Sequence, residues 1–144
     1  MTLADTKAFK ALVETVPALT GRTFVSKALL PAPNESTKID PPYAVIHPAD
    51  GFDAAQRFTG PIDTTNPRFT LHTVGVTAEQ AQALADLVKA KLIVDGFGVV
   101  VAVAGRRNEK MSYSSPIPVQ VDESVTPSLP YHVAECGWRS HPAT

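Results

Sequence analysis

Between Arg68 and Leu92 the chain changes its hydrophobic period within a few residues. In "RFTLHTV", Phe69, Leu71 and Thr73 fall on one side and Thr70, His72 and Val74 on the other, the alternation of a half-buried strand. Beyond it, Ala81, Leu84, Ala85, Val88 and Leu92 recur at helical spacing and form a stripe along one side of a helix. Thr77 and Gln80 have the spacing of a capping box: the hydroxyl accepts from the amide of residue 80, and the Gln side chain reaches back to the cap amide. Gly75 weakens the strand just ahead of the switch, while Ala, Gln, Leu and Lys favour helix after it. Strand therefore passes to helix through a built-in cap, with no loop wide enough to hold a site.

The same reading extends to both ends. Thr2 to Val16 is an amphipathic helix with Thr2 and Asp5 at capping-box spacing and Phe9, Leu12, Val13 and Val16 as its stripe; Pro17 and Gly21 end it. "RTFVSKALL" alternates loosely as a strand, and "PYAVIHP" is a firmer one, fenced by prolines near a sheet edge. Asp50 to Asn66 is a long polar loop. "DGFG", Asp95 to Gly98, closes the second helix and turns into "VVVAVAG", a buried strand, so 68–105 reads strand, helix, strand. "GRRNEKM" is a polar turn, opening a long loop from Asn108 to Pro130 in which "IPVQV" forms a short strand. In the last strand, "YHVAECGWR", His132, Ala134, Cys136 and Trp138 share a face opposite Tyr131, Val133 and Glu135. These elements predict one α+β domain over 1–144, a mixed, mainly antiparallel β-sheet packed against two α-helices.

Composition narrows the class. A chain of 144 residues is long enough to bury a core without staples, and the 44% hydrophobic and 19% charged shares are those of a globular protein. No apolar run approaches the ~20 residues of a membrane span, so no membrane partner is expected. A formal charge of -1 excludes a whole-molecule electrostatic nucleic-acid binder. The single cysteine, Cys136, makes no internal disulfide, and "MTLADTKAFK" lacks the pattern of a signal peptide, so a cytoplasmic site of synthesis is expected. The 13 prolines concentrate in stretches such as "LLPAPNESTKIDPPY" and "SSPIPVQVDESVTPSLPY". Stiff extended connectors of this kind suit contact with neighbours.

Candidate chemistry is sparse. His47, His72, His132 and His141 are not spaced as metal ligands, although His47, His72 and His132 fall on strands that a sheet could bring together. No nucleophile motif frames Cys136, which alternates with Ala134 and Trp138 as a packed strand face does. The glycines of "DGFG" close a helix instead of opening one, unlike a phosphate loop. Asp40, Asp50, Asp53 and Asp63 lack the calcium-loop register. No catalytic, cofactor or metal residue is assigned. Arg106, Arg107 and Lys110 form the one local charge cluster, read either as a solvated turn or as a contact with a partner's acidic patch or with DNA.

The order of elements resembles a known family. An N-terminal amphipathic helix, the "PPYAVIHP" strand, a long polar loop, a strand running directly into "TAEQAQALADLVKAKL", and a late "LPYHVAECGWR" strand ending in Trp138 and Arg139 are similar to the tail terminator proteins of long, flexible-tailed phages. The resemblance covers the chain from about Pro42 onward. It implies an α+β subunit of a ring, usually a hexamer, that sits on the end of the tail tube. Such a ring stops tube polymerisation and offers its other face to the head–tail connector. It further implies a virion location, assembly in the host cytoplasm, no enzyme activity, no cofactor, and a lumen that transmits DNA without reading its sequence. On that basis Arg106 and Arg107 are expected to line the lumen, and exchanging both for Glu to leave folding intact. Two alternatives stay open: another neck or minor tail protein, and a small enzyme or ligand-binding domain in which His47, His72 or His132 converge with an acidic residue.

Overall fold

The computed structural model of the chain describes residues 3–26, 41–50, 54–55, 62–123 and 128–143. The first helix, α1, spans Leu3–Val13 and buries Asp5, Thr6, Phe9 and Val13. Thr2, its expected cap, lies outside the described residues, as do the connector 27–40 and much of the expected loop 50–66. The helix stops short of Val16 because Pro17 holds the preceding residue extended, at φ -74 and ψ 120. The chain then tightens into a 3-10 turn, Pro17–Leu19, that still buries Val16 and Leu19.

Strands β1 (Thr23–Val25) and β2 (Tyr43–Asp50) are followed by a small pair, β3 (Ala54–Ala55) and β4 (Ile62–Thr64), and by β5 (Pro67–Val74). Helix α2 covers Ala78–Leu92. A hairpin follows, β6 (Ile93–Val94) and β7 (Phe97–Gly98), and then β8 (Arg106–Asn108), β9 (Ser112–Ser114), β10 (Gln120–Asp122), β11 (Leu129–Gly137) and β12 (Ser140–Pro142). The main sheet runs β1-β2-β5-β11, and the outer edge of β11 is shared: β10 pairs with its first residues and β9 with its last. Among the described residues only β1 and β2 pair in parallel. The expected α+β architecture is present.

Pro48 sits inside β2 without breaking it. The amide of Ala44 donates to Arg22, so residues of this parity direct their N–H toward β1; β1 ends beside Ile46, and Pro48 falls beyond it. Its missing donor therefore faces a stretch of edge that no described strand pairs with. One side of the sheet carries the core, where Ala44, Ile46, Phe69, Leu71, Ala134 and Cys136 meet Phe9 and Val13 of α1 and Leu84, Val88 and Leu92 of α2. Phe9, Phe69 and Trp138 join α1 to the far end of the sheet: Phe9 stacks on Phe69 at 4.5 Å between centroids, and Trp138 lies 5.4 Å from Phe69. Each such pair adds ~0.5–1.5 kcal/mol beyond the area it buries.

The strand-to-helix junction follows the sequence reading with one change of partner. Thr77 Oγ1 accepts from the Gln80 amide at 3.1 Å, but Gln80 Oε1 reaches past the cap and accepts from Val76 N–H at 2.6 Å. Gly75 is there for space: a Cβ on it would lie 2.6 Å from the Ala81 nitrogen. The closeness of strand end to helix start is what requires glycine.

Three expectations change. "DGFG" does more than close α2: Asp95 and Gly96, at φ 54 and 82, form the two-residue turn of the β6–β7 hairpin, with Ile93 opposite Gly98 and Val94 opposite Phe97. "VVVAVAG" alternates as a strand but, among the described residues, joins no sheet beyond a single bridge from Val100 to Lys110. Its backbone groups are taken singly, by Leu92, Met111 and Asn108, while Val101 packs into the core. Finally, the span 108–130 holds, besides the short strand expected at "IPVQV" and found as β10, a second edge strand, β9. "GRRNEKM" likewise contains β8, which pairs with β12. Three-residue strands between prolines are too short to show a period.

Candidate functional site

The sheet side turned away from the helices carries two histidines, two tyrosines, a threonine and a glutamate among three valines. Antiparallel register sets them in rows: Tyr43, Val74 and Tyr131 form the first, Val45, His72 and Val133 the second, and His47, Thr70 and Glu135 the third. Every residue comes from strand parity, because alternate side chains share a face. The face is concave, and a cavity of about 410 Å³ opens on it, lined by Ser26, Tyr43, Val45, His47, His72, Val74, Asp122, Leu129 and Tyr131. The imidazole of His72 is central, with ring centroids 4.8 Å from His47 and 5.0 Å from Tyr131. Burial lowers the pKa of His72, and the neighbouring His47 lowers it further. Burial raises the Tyr43 hydroxyl, helped by the charge of Asp122 across the cavity.

His132 does not join this pair. It pairs with Thr73, one step out of phase with His72, and so projects among the helices. There Ser115 Oγ lies 2.8 Å from His132 Nε2 and 3.0 Å from the Val133 carbonyl. The hydroxyl has one proton, and donating it to the carbonyl makes the serine accept from Nε2–H. That leaves Nδ1 as an acceptor, buried and without a partner among the described residues. Burial lowers this histidine's pKa as well, opposed by Asp86. His141 is elsewhere again, with Nε2 2.8 Å from Glu109 Oε1 and Nδ1 3.3 Å from Thr64 Oγ1. Among the described residues no group of three or more His, Cys, Asp or Glu is placed to hold a metal ion.

Cys136 is buried, and burial followed by the charge of Glu135 pushes its thiol up to about 12. A thiol held protonated in this way is a packing group at neutral pH.

The basic cluster separates into three environments. Arg106 turns inward: Nε donates to Ser140 Oγ at 2.9 Å, and Nη2 donates to the Asp63 and Ser140 carbonyls at 2.8 Å each. It is a clamp tying β8 to β12 and to β4, so its exchange for Glu is not the neutral change that the sequence suggested. Lys110 extends over the Phe97 ring, its Nζ 4.5 Å from the centroid. Arg107, between them, is exposed.

Beside Lys110 lies the second notable surface. Val94 and Phe97, paired across the hairpin, are 48% and 63% exposed, and nearby Val100 is 59% exposed. The sequence carried a signal for this element, Asp-Gly between apolar residues, which is a strong mark of a tight hairpin. Tyr43, Val74 and Tyr131 were equally readable by parity within their strands; what no single strand reveals is which residue of the next one stands beside it.

No protein-family model matches the chain, and no curated protein matches it. Five solved chains match its structure. One of them aligns over 98% of this chain and 96% of its own length, with a TM-score of 0.55 and 14% sequence identity; its name states no activity, ligand or partner. That likeness shows the α+β fold. No helix among the described residues is long and apolar enough to cross a membrane.

Proposed function

We propose that this protein is a tail terminator, a subunit of a ring that sits on the end of a phage tail tube, stops its growth and presents a surface to the head–tail connector. The observation that supports the reading best is the β6–β7 hairpin, whose Val94 and Phe97 are left exposed together. Large apolar side chains exposed side by side suit a protein contact. Identical subunits joined head to tail close into a ring when the rotation per step is right. The lumen reading narrows to Arg107, since Arg106 is committed to Ser140 and Asp63 and Lys110 lies over Phe97. Repeated around a symmetry axis, one exposed arginine per subunit gives a cationic girdle that favours DNA without reading its sequence.

The test is assembly with purified tail tube subunits. The protein is expected to form rings in negatively stained micrographs, to bind tube ends and to halt elongation. A strict monomer at high concentration, with tubes that elongate normally in its presence, overturns the reading. Rings that leave elongation unchanged point instead to another neck or minor tail protein. A second reading, a small ligand-binding domain, is favoured by one observation: His47, His72 and Asp122 line a common cavity. Saturable binding of a small molecule, abolished by His72→Gln in a protein that forms no rings, would support it.

A further inference from the structure

We propose that the β6–β7 hairpin of one copy seats in the sheet-face cavity of the next, so that these two surfaces form the head-to-tail joint. This rests on the ring reading and names the surfaces that would make it.

The two features are complementary in shape and chemistry. The hairpin is a convex apolar knob, with Phe97 63% exposed at its end and Val94 beside it. The cavity is concave, about 410 Å³, walled by Tyr43, Tyr131 and Leu129 over a floor that includes Val45 and Val74. An aromatic ring entering it meets the edges and faces of two tyrosines, a favourable aromatic arrangement. One charge pair matches as well. Lys110 stands at the flank of the hairpin, over the Phe97 ring, and Asp122 is the one carboxylate among the described residues that line the cavity. Seating Phe97 so that Lys110 meets Asp122 pairs the two.

Their positions forbid contact within one copy. The cavity lies at the Val74 end of the sheet, on the face away from the helices. Helix α2 starts at that end and runs back over the other face, as shown by Lys89 reaching the Tyr113 ring, whose residue is paired with Cys136 and so sits level with Phe69. Fifteen helical residues carry the chain ~22 Å, so the hairpin emerges at the opposite end and on the opposite layer. A knob and a socket at opposite corners of one molecule cannot join two copies about a two-fold axis through a single knob-and-socket contact. They link each copy to a next, the heterologous geometry that closes into a ring when the rotation per step is right.

Cross-linking tests this directly. Asp95→Cys, at the hairpin turn, and Leu129→Cys are combined in one chain so that the Phe97 ring stays in place, and the assembled protein is treated with a short bismaleimide. Cys136 is buried, with its thiol held protonated, and stays silent. The expected result is a ladder that climbs past the dimer to the full ring in the double variant and is absent from each single variant. A ladder that stops at the dimer overturns the proposal, since the contact is then two-fold. Rings in micrographs without cross-linking also overturn it and leave the ring reading standing; the absence of both rings and cross-links removes the two together. As a control independent of cysteine placement, Phe97→Asp is expected to weaken ring formation about tenfold or more, the scale of re-exposing one buried aromatic, with an unchanged melting temperature. Undiminished assembly of that variant refutes the joint.

Discussion

Replacing Arg106 by alanine is expected to unfold the chain at a markedly lower temperature. The side chain donates three hydrogen bonds, to Ser140 Oγ and to the Ser140 and Asp63 carbonyls. Hydrogen bonds from a charged group contribute ~1.5–3 kcal/mol each, but the three share one half-buried guanidinium and do not add. The Ser140 carbonyl also keeps a second donor, the Thr65 amide at 2.9 Å. The Ser140 hydroxyl is worse placed: the residue is 0% exposed, so water does not replace the lost arginine. Stranding one buried hydroxyl costs ~1–3 kcal/mol, and with the lost Asp63 contact the total comes to about 2–3 kcal/mol. For a chain of this size that corresponds to a fall of roughly 6–12 °C in melting temperature. Arg106→Lys keeps the charge, yet one ammonium does not span the same acceptors, and it is expected to restore less than half of the loss. Arg107→Glu, next in sequence and exposed, is expected to stay within about 0.5 kcal/mol of the parent. Thermal unfolding followed by far-UV circular dichroism compares the three. Melting temperatures for Arg106→Ala and Arg107→Glu that agree within about 1 °C, well inside the separation expected, would refute the clamp.

Two further outcomes follow from the geometry. Gly75→Ala places a methyl 2.6 Å from the Ala81 nitrogen and 3.0 Å from Gln80 Cβ, and should cost about 1–3 kcal/mol as strand end and helix start move apart; an unchanged urea midpoint counts against a tight junction. The second concerns pH: His72 and His132 both have pKa values lowered from the ordinary 6.5, chiefly by burial. The unfolded chain therefore takes up protons before the folded one, so stability is complete above pH 6.5 and is lost as pH falls through 6.5 toward the lower folded values. Urea midpoints measured from about pH 7.5 to 5 should fall toward acid, and the fall should flatten in the double variant His72→Gln, His132→Gln. A midpoint that rises over that interval refutes the sign.

Where a segment was long enough to display its period, its structure was legible. The buried face of α2, Ala81, Leu84, Ala85, Val88 and Leu92, is the stripe read from spacing alone. The parity of 131–138 likewise separated Ala134, Cys136 and Trp138 from Tyr131 and Glu135. Short segments were mostly missed for a physical reason. β8 and β9 have three residues each, one full alternation, and their pairing depends on partners elsewhere in the chain; the short strand expected at "IPVQV" is present as β10, two residues of it and one beyond. "VVVAVAG" failed oppositely: its pattern is that of a strand, but among the described residues its ladder is a single bridge, Val100 to Lys110, and it lines a cavity with Ala8, Ala11 and Leu12 of α1. The basic cluster shows the limit for sites. Arg106, Arg107 and Lys110 look alike in sequence, and only the third dimension supplies Ser140 to the first and Phe97 to the last.

The cavity depends on register more than on any one side chain. His72 stands opposite Val133, and His132 opposite Thr73. A slip of one residue between β5 and β11 would turn His132 toward the cavity and carry Val133 into the layer occupied by α2, inverting every row of the face. Contacts at both ends of the pair oppose that slip. At one end the Gly75 amide donates to the Pro130 carbonyl; at the other the Trp138 amide donates to the Pro67 carbonyl, and its indole packs on Phe69 and Phe9. The aromatic cluster on the helix side of the sheet thus fixes which histidines appear on the other side. Core packing and the chemistry of the open face are set by the same alignment, so a substitution at Trp138 or Phe69 acts on the cavity without touching it.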